Sequence, residues 1–584
     1  MALVAVALLV AGLPGTPESL AAHPPPLITQ RGVVASDEAT ASSVGASVLA
    51  RGGNAVDAAA ATALALGVVN PTSSGIGGGG FAVVWSAAER KVRVYDFRET
   101  APAALRPESF QVGGKIDAQK SRTGGLAVGV PGEIAGLHDM VAHQGRWTWK
   151  RVVTPAAQLA RDGFDVGWFL ATIAGREVPK LPAGAPYDRL RALLTQGGAP
   201  LMRGARLQRR ALAATLTAIA ERGPDAFYKG ANAGDIVATA AAAGGVLTAA
   251  DLAAYKVVER EPLWGEWRGH RLATMPLPSS GGIILLEMLG ILDRTGIDLK
   301  ALGAGSSAAL HVVAEILKHG FADRARLLGD DADASAAVSG MLAPERLAAL
   351  ARRVSVDRVQ PHDQYGGAGV AATGGSDGGT SHVCVIDGDG NAVALTTTVN
   401  GYYGAKLVTA GGVVLNNEMD DFAMAPDAVN AFKLRQGARN LVAPGKRPLS
   451  SMTPTLIFDG DRVVACVGGS GGPMIISNVF QTVLNLFVFD MDAQAAVTAP
   501  RIHHQWEPDV LGVEADTPAD VIDGLARRGQ TVKPSSFITA VQVIRVRADG
   551  TREAASDPRK GGAPAVQPPA ARRAPAAPRA AGAP

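Results

Sequence analysis

Two kinds of hydrophobic pattern alternate along the chain. Near the start, Ala41 to Ala50 and Ala55 to Val68 are alanine-rich runs that predict helices, separated by Gly52-Gly53-Asn54. Glycine there can end the first helix and Asn54 can cap the second. The second run is apolar nearly all round, which predicts a helix deep in the core. Phe81 to Trp85 and Val92 to Phe97 alternate and predict strands. Residues 130 to 340 are mostly helical in pattern. Tyr365 to Gly379 is crowded with glycine, has no period and predicts a mobile loop. From Thr380 the pattern changes abruptly. Val383, Val385 and Ile386 are β-formers, Asp387-Gly388-Asp389-Gly390-Asn391 breaks the run, and Ala392 to Val399 resumes it. Further on, Val413 to Leu415 predicts a buried strand and Pro426 to Gly445 a loop. Arg462 to Val467 predicts a strand, Gly468 to Gly472 a turn, and Met474 onward a helix with Pro473 at its first position.

The abrupt change at Thr380 fixes a hairpin. If Asp387 pairs with Asn391, the loop is Gly388-Asp389-Gly390, with Gly390 in the left-handed position used by three-residue hairpins. That register sets Thr398 opposite Thr380. A threonine heading a strand behind a glycine-rich loop suggests an N-terminal nucleophile. Cleavage before Thr380 would free an α-amino group, of ordinary pKa about 7.7–8.0, as base for its own hydroxyl. Thr398 would orient that hydroxyl. The plainer alternative is a β-former that simply follows a loop.

Three local motifs point elsewhere and fail on context. Asp387-x-Asp389-x-Asn391 resembles a calcium loop, but position six is Ala392 and position twelve is Thr398, so it is a turn. Gly75 to Gly80 contains G-x-G-x-x-G, yet a helix precedes it where a dinucleotide fold needs a strand. Its glycines instead let backbone approach backbone. Gly468-x-Ser470-x-Gly472 sits between a strand and a helix, as a hydrolase nucleophile elbow does, with Asp490 and His503 following. The acid and histidine follow too closely, and no βα units precede it. Backbone N–H groups of Gly471 and Gly472 at a helix N-terminus fit an oxyanion hole better.

Composition narrows the classes. The 584 residues are 47% hydrophobic with a net charge of +3 and no basic clusters in the body, which gives no reason to expect nucleic acid. Cys384 and Cys466 are the only cysteines and lie in apolar strand patterns, which predicts buried free thiols. No Cys/His cluster with metal spacing appears in the helical region, His503-His504 lacks partners, and no metal or cofactor is expected. Residues 3 to 13 are a short apolar run before a small-residue stop at Leu20-Ala21-Ala22. This predicts a signal peptide over residues 1–22, atypical in having no preceding lysine or arginine. No stretch is long enough to span a bilayer, so export to the periplasm or medium is expected. Ala563 to Pro584 is rich in proline and alanine and predicts a disordered tail.

Several collinear motifs together resemble one family. Thr380-Ser381-His382 through Val393, with Thr398-x-Asn400, is similar to the nucleophile segment of the γ-glutamyltranspeptidases. Gly52 to Ala59, Gly75 to Phe81, Asp96-Phe97-Arg98-Glu99, Pro448 to Met452 and Gly471-Gly472 agree in the family's order. So do Ala160 to Phe164, Gly223 to Gly230, Pro278 to Gly282 and Ala555 to Gly562. The resemblance covers roughly residues 28–562.

It implies an α+β fold, the αββα sandwich of the N-terminal-nucleophile hydrolases. It also implies a precursor that cuts itself between Gly379 and Thr380, giving a large part (23–379) and a small part (380–562) of one catalytic domain. Thr380 would attack a γ-glutamyl amide such as that of glutathione, Gly471 and Gly472 would hold the oxyanion, and the glutamyl group would pass to an amino acid, a peptide or water. Arg98, Ser450 and Ser451 would bind the α-carboxylate; Asn400, Glu418 and Asp421 would bind the α-ammonium. Phe432 falls where the family's lid carries an aromatic residue. From the residues alone, Arg98 is either a solvated or ion-paired strand end or a planar fork for a carboxylate. The same superfamily includes glutaryl-type acylases, whose substrates lack the α-ammonium; retention of Glu418 and Asp421 argues against that alternative.

Overall fold

The computed structural model describes residues 24–331, 333–366, 379–535 and 539–569. Its centre is two seven-stranded antiparallel sheets packed face to face. The first runs, edge to edge, through Val258–Arg260, Lys91–Phe97, Gly79–Ser86, Ala392–Thr398, Ser381–Ile386, Val33–Ser36 and Ala565–Val566. The second runs through Leu27–Thr29, Arg552–Ser556, Ala540–Val546, Arg462–Ser470, Thr455–Asp459, His270–Thr274 and Leu263–Trp267.

Period-two alternation explains why the strands read as nearly unbroken apolar runs. In the first sheet, Val33, Phe81, Val83, Cys384 and Ala394 pack into the seam between the sheets, against Leu456, Cys466 and Ile544. The alternate residues Val34, Ala82, Val84, Val385 and Leu395 pack against the alanine-rich helices. Both faces are therefore buried. Ala55–Val69 is the central helix of that outer layer, with every residue buried and Asn54 forming a capping box with Asp57. Gly281–Thr295, Ser307–Leu327 and Met474–Phe487 cover the second sheet. The αββα sandwich expected from the sequence is the fold observed.

The hairpin register is also as expected. Ser381 pairs with Thr397 and Ile386 with Ala392, which places Thr380 level with Thr398. Gly390 has φ +85°, and Asp387 N–H donates to Asn391 O at 3.0 Å. Asp387 is a turn organiser: Oδ1 accepts from Asp389 and Asn391 N–H, and Oδ2 accepts from Ala55 N–H across the layer.

Several expectations need correction. Residues 563–569 belong to the ordered body, because Ala565 and Val566 pair with Val34 and Val33 at the edge of the first sheet; the remainder of the expected tail and the expected signal peptide lie outside the described residues. The glycine-rich loop lies outside them between residues 367 and 378. Val413–Leu415 makes only an isolated bridge, Val414 to Val408. The strand expected to end at Val467 continues to Ser470, and Pro473 caps the following helix rather than opening it. Within the mostly helical region, residues 258–274 form three strands, two of which complete an edge of the second sheet. Among the described residues no helix is long and apolar enough to cross a membrane.

Candidate active site

Thr380 and Thr398 share the parity of Cys384 and Ala394, so both side chains stand at the open end of the seam between the sheets. Their hydroxyl oxygens are 3.1 Å apart. Thr398 Oγ1 also donates to Gly379 O at 3.0 Å, Thr380 Oγ1 donates to the same carbonyl, and Asn400 N–H donates back to Thr398 Oγ1 at 2.8 Å. The Gly379 carbonyl, at the expected cleavage point, thus receives two hydroxyls. The neighbouring strand comes in very close: a Cβ on Gly78 would lie 1.8 Å from Thr398 O, so only glycine lets this strand end lie flat.

Thr380 opens onto a cavity of about 290 Å³ lined by Arg98, Thr398, Asn400, Glu418, Asp421, Phe432, Ser450, Ser451 and Gly472. Ten of the twelve residues placed at the site from the sequence, Thr380 and Phe432 included, line it. Gly471 precedes Gly472 in the chain, and Gly379 precedes Thr380. Gly472 has φ +60°, and a Cβ there would lie 3.0 Å from the Phe432 ring, so glycine also sets the width between Phe432 and the helix N-terminus. Phe432 is itself held by Asn430, whose Oδ1 accepts its N–H at 3.0 Å, and by Gln505, which donates to its carbonyl at 3.2 Å.

The polar wall is strongly charged. Arg98 is 1% exposed. Its guanidinium donates to Glu418 and, at 2.5 Å, to Asp421, while Glu99 lies 3.9 Å away and Nε donates to Pro448 O. The ion-paired alternative read from the sequence is what the structure shows, with the fork buried and both its tips already on carboxylates. Burial opposes the Arg98 charge, but Glu418, Asp421 and Glu99 outweigh it and hold its pKa above the ordinary value. Burial pushes Glu99 up to about 7 despite the pull of Arg98, and raises Glu418 well above the carboxylate range. Glu418 Oε2 is buried without a hydrogen-bond partner among the described residues. The Arg98 guanidinium thus faces three carboxyl groups, two of which burial holds toward the protonated form.

Two residues escaped the sequence reading. Arg324, on the helix Ser307–Leu327, is buried behind the serine pair; it donates to Ser280 Oγ at 3.0 Å and to Ser451 Oγ at 3.4 Å, and burial lowers its pKa to about 10. Its scaffold helix gave no signal. Lys560, read only as part of a family-like segment, is buried beneath Thr380; Nζ donates to Thr380 O and Ser470 Oγ at 3.0 and 2.9 Å, with Asp37 at 3.7 Å. Ser470 Oγ donates to Asp37 at 2.6 Å, and His503 pairs with Ser477, not Ser470, which removes the nucleophile-elbow alternative.

Cys384 and Cys466 are free and buried, as expected. They meet His382 across the seam, with donor atoms within 4.8 Å of one another, a cluster that spacing along the chain did not reveal. His382 Nδ1 is 2.8 Å from Thr396 Oγ1, and each thiol contacts a backbone carbonyl, Gln542 O or Val393 O. Local hydrogen bonds therefore already engage all three side chains.

The γ-glutamyltranspeptidase family profile matches residues 41–567. The chain belongs to the γ-glutamyltranspeptidase family. It is 39% identical over 539 residues to the glutathione hydrolase proenzyme of Escherichia coli K12, covering 91% of each chain. It is 38% identical over 557 residues to glutathione hydrolase 2 of Arabidopsis thaliana, covering 92% of this chain and 94% of that one. Among solved structures, it is similar to a cephalosporin acylase from Bacillus halodurans (TM-score 0.82, 25% identity, 95% and 99% covered). It is also similar to the γ-glutamyltranspeptidase of Helicobacter pylori (TM-score 0.53, 33% identity), which covers 56% of this chain and 93% of that one.

Proposed function

We propose that this member of the γ-glutamyltranspeptidase family is an exported, self-processing γ-glutamyltransferase acting on glutathione and related γ-glutamyl amides. The observation that carries the substrate class is the single buried arginine facing Glu99, Glu418 and Asp421. A glutamyl α-carboxylate would share Arg98 with the hydroxyls of Ser450 and Ser451, and the α-ammonium would sit among Asn400, Glu418 and Asp421. Charges then alternate across the pocket.

Self-cleavage follows from the hydroxyl pair. Thr380 Oγ1 attacks the Gly379 carbonyl carbon while Thr398 Oγ1, already on its oxygen, stabilises the developing charge. The C–Oγ1 bond forms, the C–N bond breaks, and the hydroxyl proton ends on the Thr380 nitrogen. Water then hydrolyses that ester. In the processed enzyme the Thr380 α-amine takes the hydroxyl proton as Oγ1 attacks the γ-carbonyl. The N–H groups of Gly471 and Gly472 hold the oxyanion, the leaving amine takes the proton, and the γ-glutamyl ester passes to an amine or to water.

Turnover of γ-glutamyl-p-nitroanilide, compared with glutaryl-p-nitroanilide, tests the substrate class. The fold likeness to a cephalosporin acylase makes the glutaryl compound the right control. Equal or faster glutaryl turnover would assign the chain to the acylases instead.

Thr398→Val keeps volume and β-branching but removes the hydroxyl. It is expected to lower kcat about two- to tenfold, as for one lost neutral hydrogen bond. Self-cleavage should slow more, about a hundredfold, because the Gly379 carbonyl loses its donor as well. Cleavage time courses and kcat, set beside the melting temperature, check this; wild-type rates would refute the assigned role.

Lys560 is a positioning residue in the same scheme. Its ammonium, 3.0 Å from Thr380 O, disfavours a second positive charge on the nearby α-amine, with Asp37 partly offsetting it and Arg98, Glu418 and Asp421 on the pocket side. Lys560→Met should therefore move the acid limb of the kcat/KM profile up by about one pH unit. A lower plateau with an unmoved limb would leave it a purely structural role.

A further inference from the structure

The seam below Thr380 holds a second set of reactive side chains that the proposed reaction does not use. Thr380, His382 and Cys384 share one face of their strand, and Cys466 reaches the same spot from Arg462–Ser470 of the facing sheet. His382, Cys384 and Cys466 are fully buried. Their nitrogen and two sulfurs lie within 4.8 Å of one another, with His382 Nε2 3.4 Å from Cys384 Sγ. A d10 ion such as zinc binds nitrogen at about 2.0 Å and thiolate sulfur at about 2.3 Å, so trigonal donors around one stand roughly 3.7–4.0 Å apart. Small side-chain shifts separate the cluster from such a set.

The surroundings already orient the donors. His382 Nδ1 is 2.8 Å from Thr396 Oγ1, which leaves Nε2 turned to the sulfurs, as a ligating imidazole requires. Gly468 makes the room, since a Cβ there would overlap the His382 ring. Each thiol touches one backbone carbonyl, Gln542 O at 3.6 Å and Val393 O at 3.4 Å. Those contacts are weak, and both carbonyls belong to strands paired on either side, so the ladders persist when the thiol protons leave.

We propose that His382 Nε2, Cys384 Sγ and Cys466 Sγ form a three-coordinate site for a soft univalent cation, copper(I). Two Cu–S bonds and one Cu–N bond form, the two thiol protons leave to solvent, and the metal stays copper(I), so no electron moves. Thiolate sulfur selects copper(I) and zinc over harder ions. Zinc in a structural site takes four ligands, and among the described residues this cluster offers three. Two thiolates, one univalent cation and a neutral imidazole leave one negative charge. The buried ammonium of Lys560, on Ser470 of the Cys466 strand, stands at the same seam. The ion ties the two sheets together beneath Thr380, and the site does not depend on the γ-glutamyl reading.

The test incubates the purified protein, without oxygen, with excess copper(I) supplied as its acetonitrile complex. The temperature is set just below melting, so that the buried site exchanges. After desalting, metal per chain is counted by mass spectrometry, beside the variants Cys384→Ser and Cys466→Ala. The wild type should hold one copper per chain more than either variant, and X-ray absorption should show two sulfurs and one nitrogen around it. Copper should raise the melting temperature of the wild type and not of the variants. If one variant fails to fold, the other carries the comparison; if both fail, the X-ray absorption of the wild type decides. Equal copper in wild type and variants, or copper without sulfur neighbours, would overturn the site. So would zinc retained there in place of copper, or a disulfide between the two cysteines, seen as loss of both free thiols.

Discussion

Thr380→Ala is expected to accumulate as a full-length, folded and inactive chain. In the proposed scheme one oxygen serves both reactions: Thr380 Oγ1 contacts the Gly379 carbonyl and stands 3.1 Å from Thr398 Oγ1, facing the cavity that would take substrate. Removing the attacking atom leaves no substitute, since Thr398 Oγ1 is committed to the Gly379 oxygen and has no freed amine beside it. Activity should fall by about four orders of magnitude or more, the scale seen when a covalent nucleophile is removed. Folding should change little. The β-strand from Ser381 keeps its ladder to Ala392–Thr398 and Val33–Ser36, and the hydroxyl contributes of order 1 kcal/mol through a hydrogen bond. A denaturing gel and intact mass on the purified variant check the first part, and its melting temperature the second. Two bands in the variant would show that another group performs the cleavage.

How much of this was legible in the sequence depended on whether the signal was local. Thr380 and Thr398 are linked by a hairpin whose turn is written out in Asp387 to Asn391, so their register needed only the turn's own chemistry. Asn54 as a cap and Ala55–Val69 as a buried helix were equally local. The charge logic of the site was not. Glu418 and Asp421 meet Arg98 across more than 300 residues of chain, so the sequence offered an arginine and two acids but not their mutual pairing. Lys560 approaches Thr380 from 180 residues away, and Cys466 meets Cys384 only because the two sheets face each other. Ala565 and Val566 look like tail by composition; an open edge beside Val33–Ser36 recruits them, and composition carries no information about sheet edges.

Arg98→Lys tests the consequence of that pairing. On sequence grounds the variant would raise KM with little effect on folding, as for an exposed fork reaching a carboxylate. The structure changes the expectation, because Arg98 is 1% exposed and holds Glu418 and Asp421 together. Lysine keeps the charge but cannot span both acids with a rigid fork, so one charge-assisted hydrogen bond is lost, worth about 1.5–3 kcal/mol. KM for γ-glutamyl substrates should rise about ten- to a hundredfold, with a measurable fall in melting temperature. That fall should depend on pH in a definite direction. Burial sets Glu99 at about 7 in the fold, above the ordinary carboxylate value, with Arg98 pulling it down. A raised carboxyl pKa means the folded state binds more protons than the unfolded one, so stability from this group is lost as pH rises from about 4.5 through about 7. A weaker cation at residue 98 raises Glu99 and Glu418 further. The melting-temperature deficit of the variant should therefore be larger at pH 8 than at pH 6. A deficit that is flat across this range, with KM unchanged, would separate Arg98 from both the acids and the substrate.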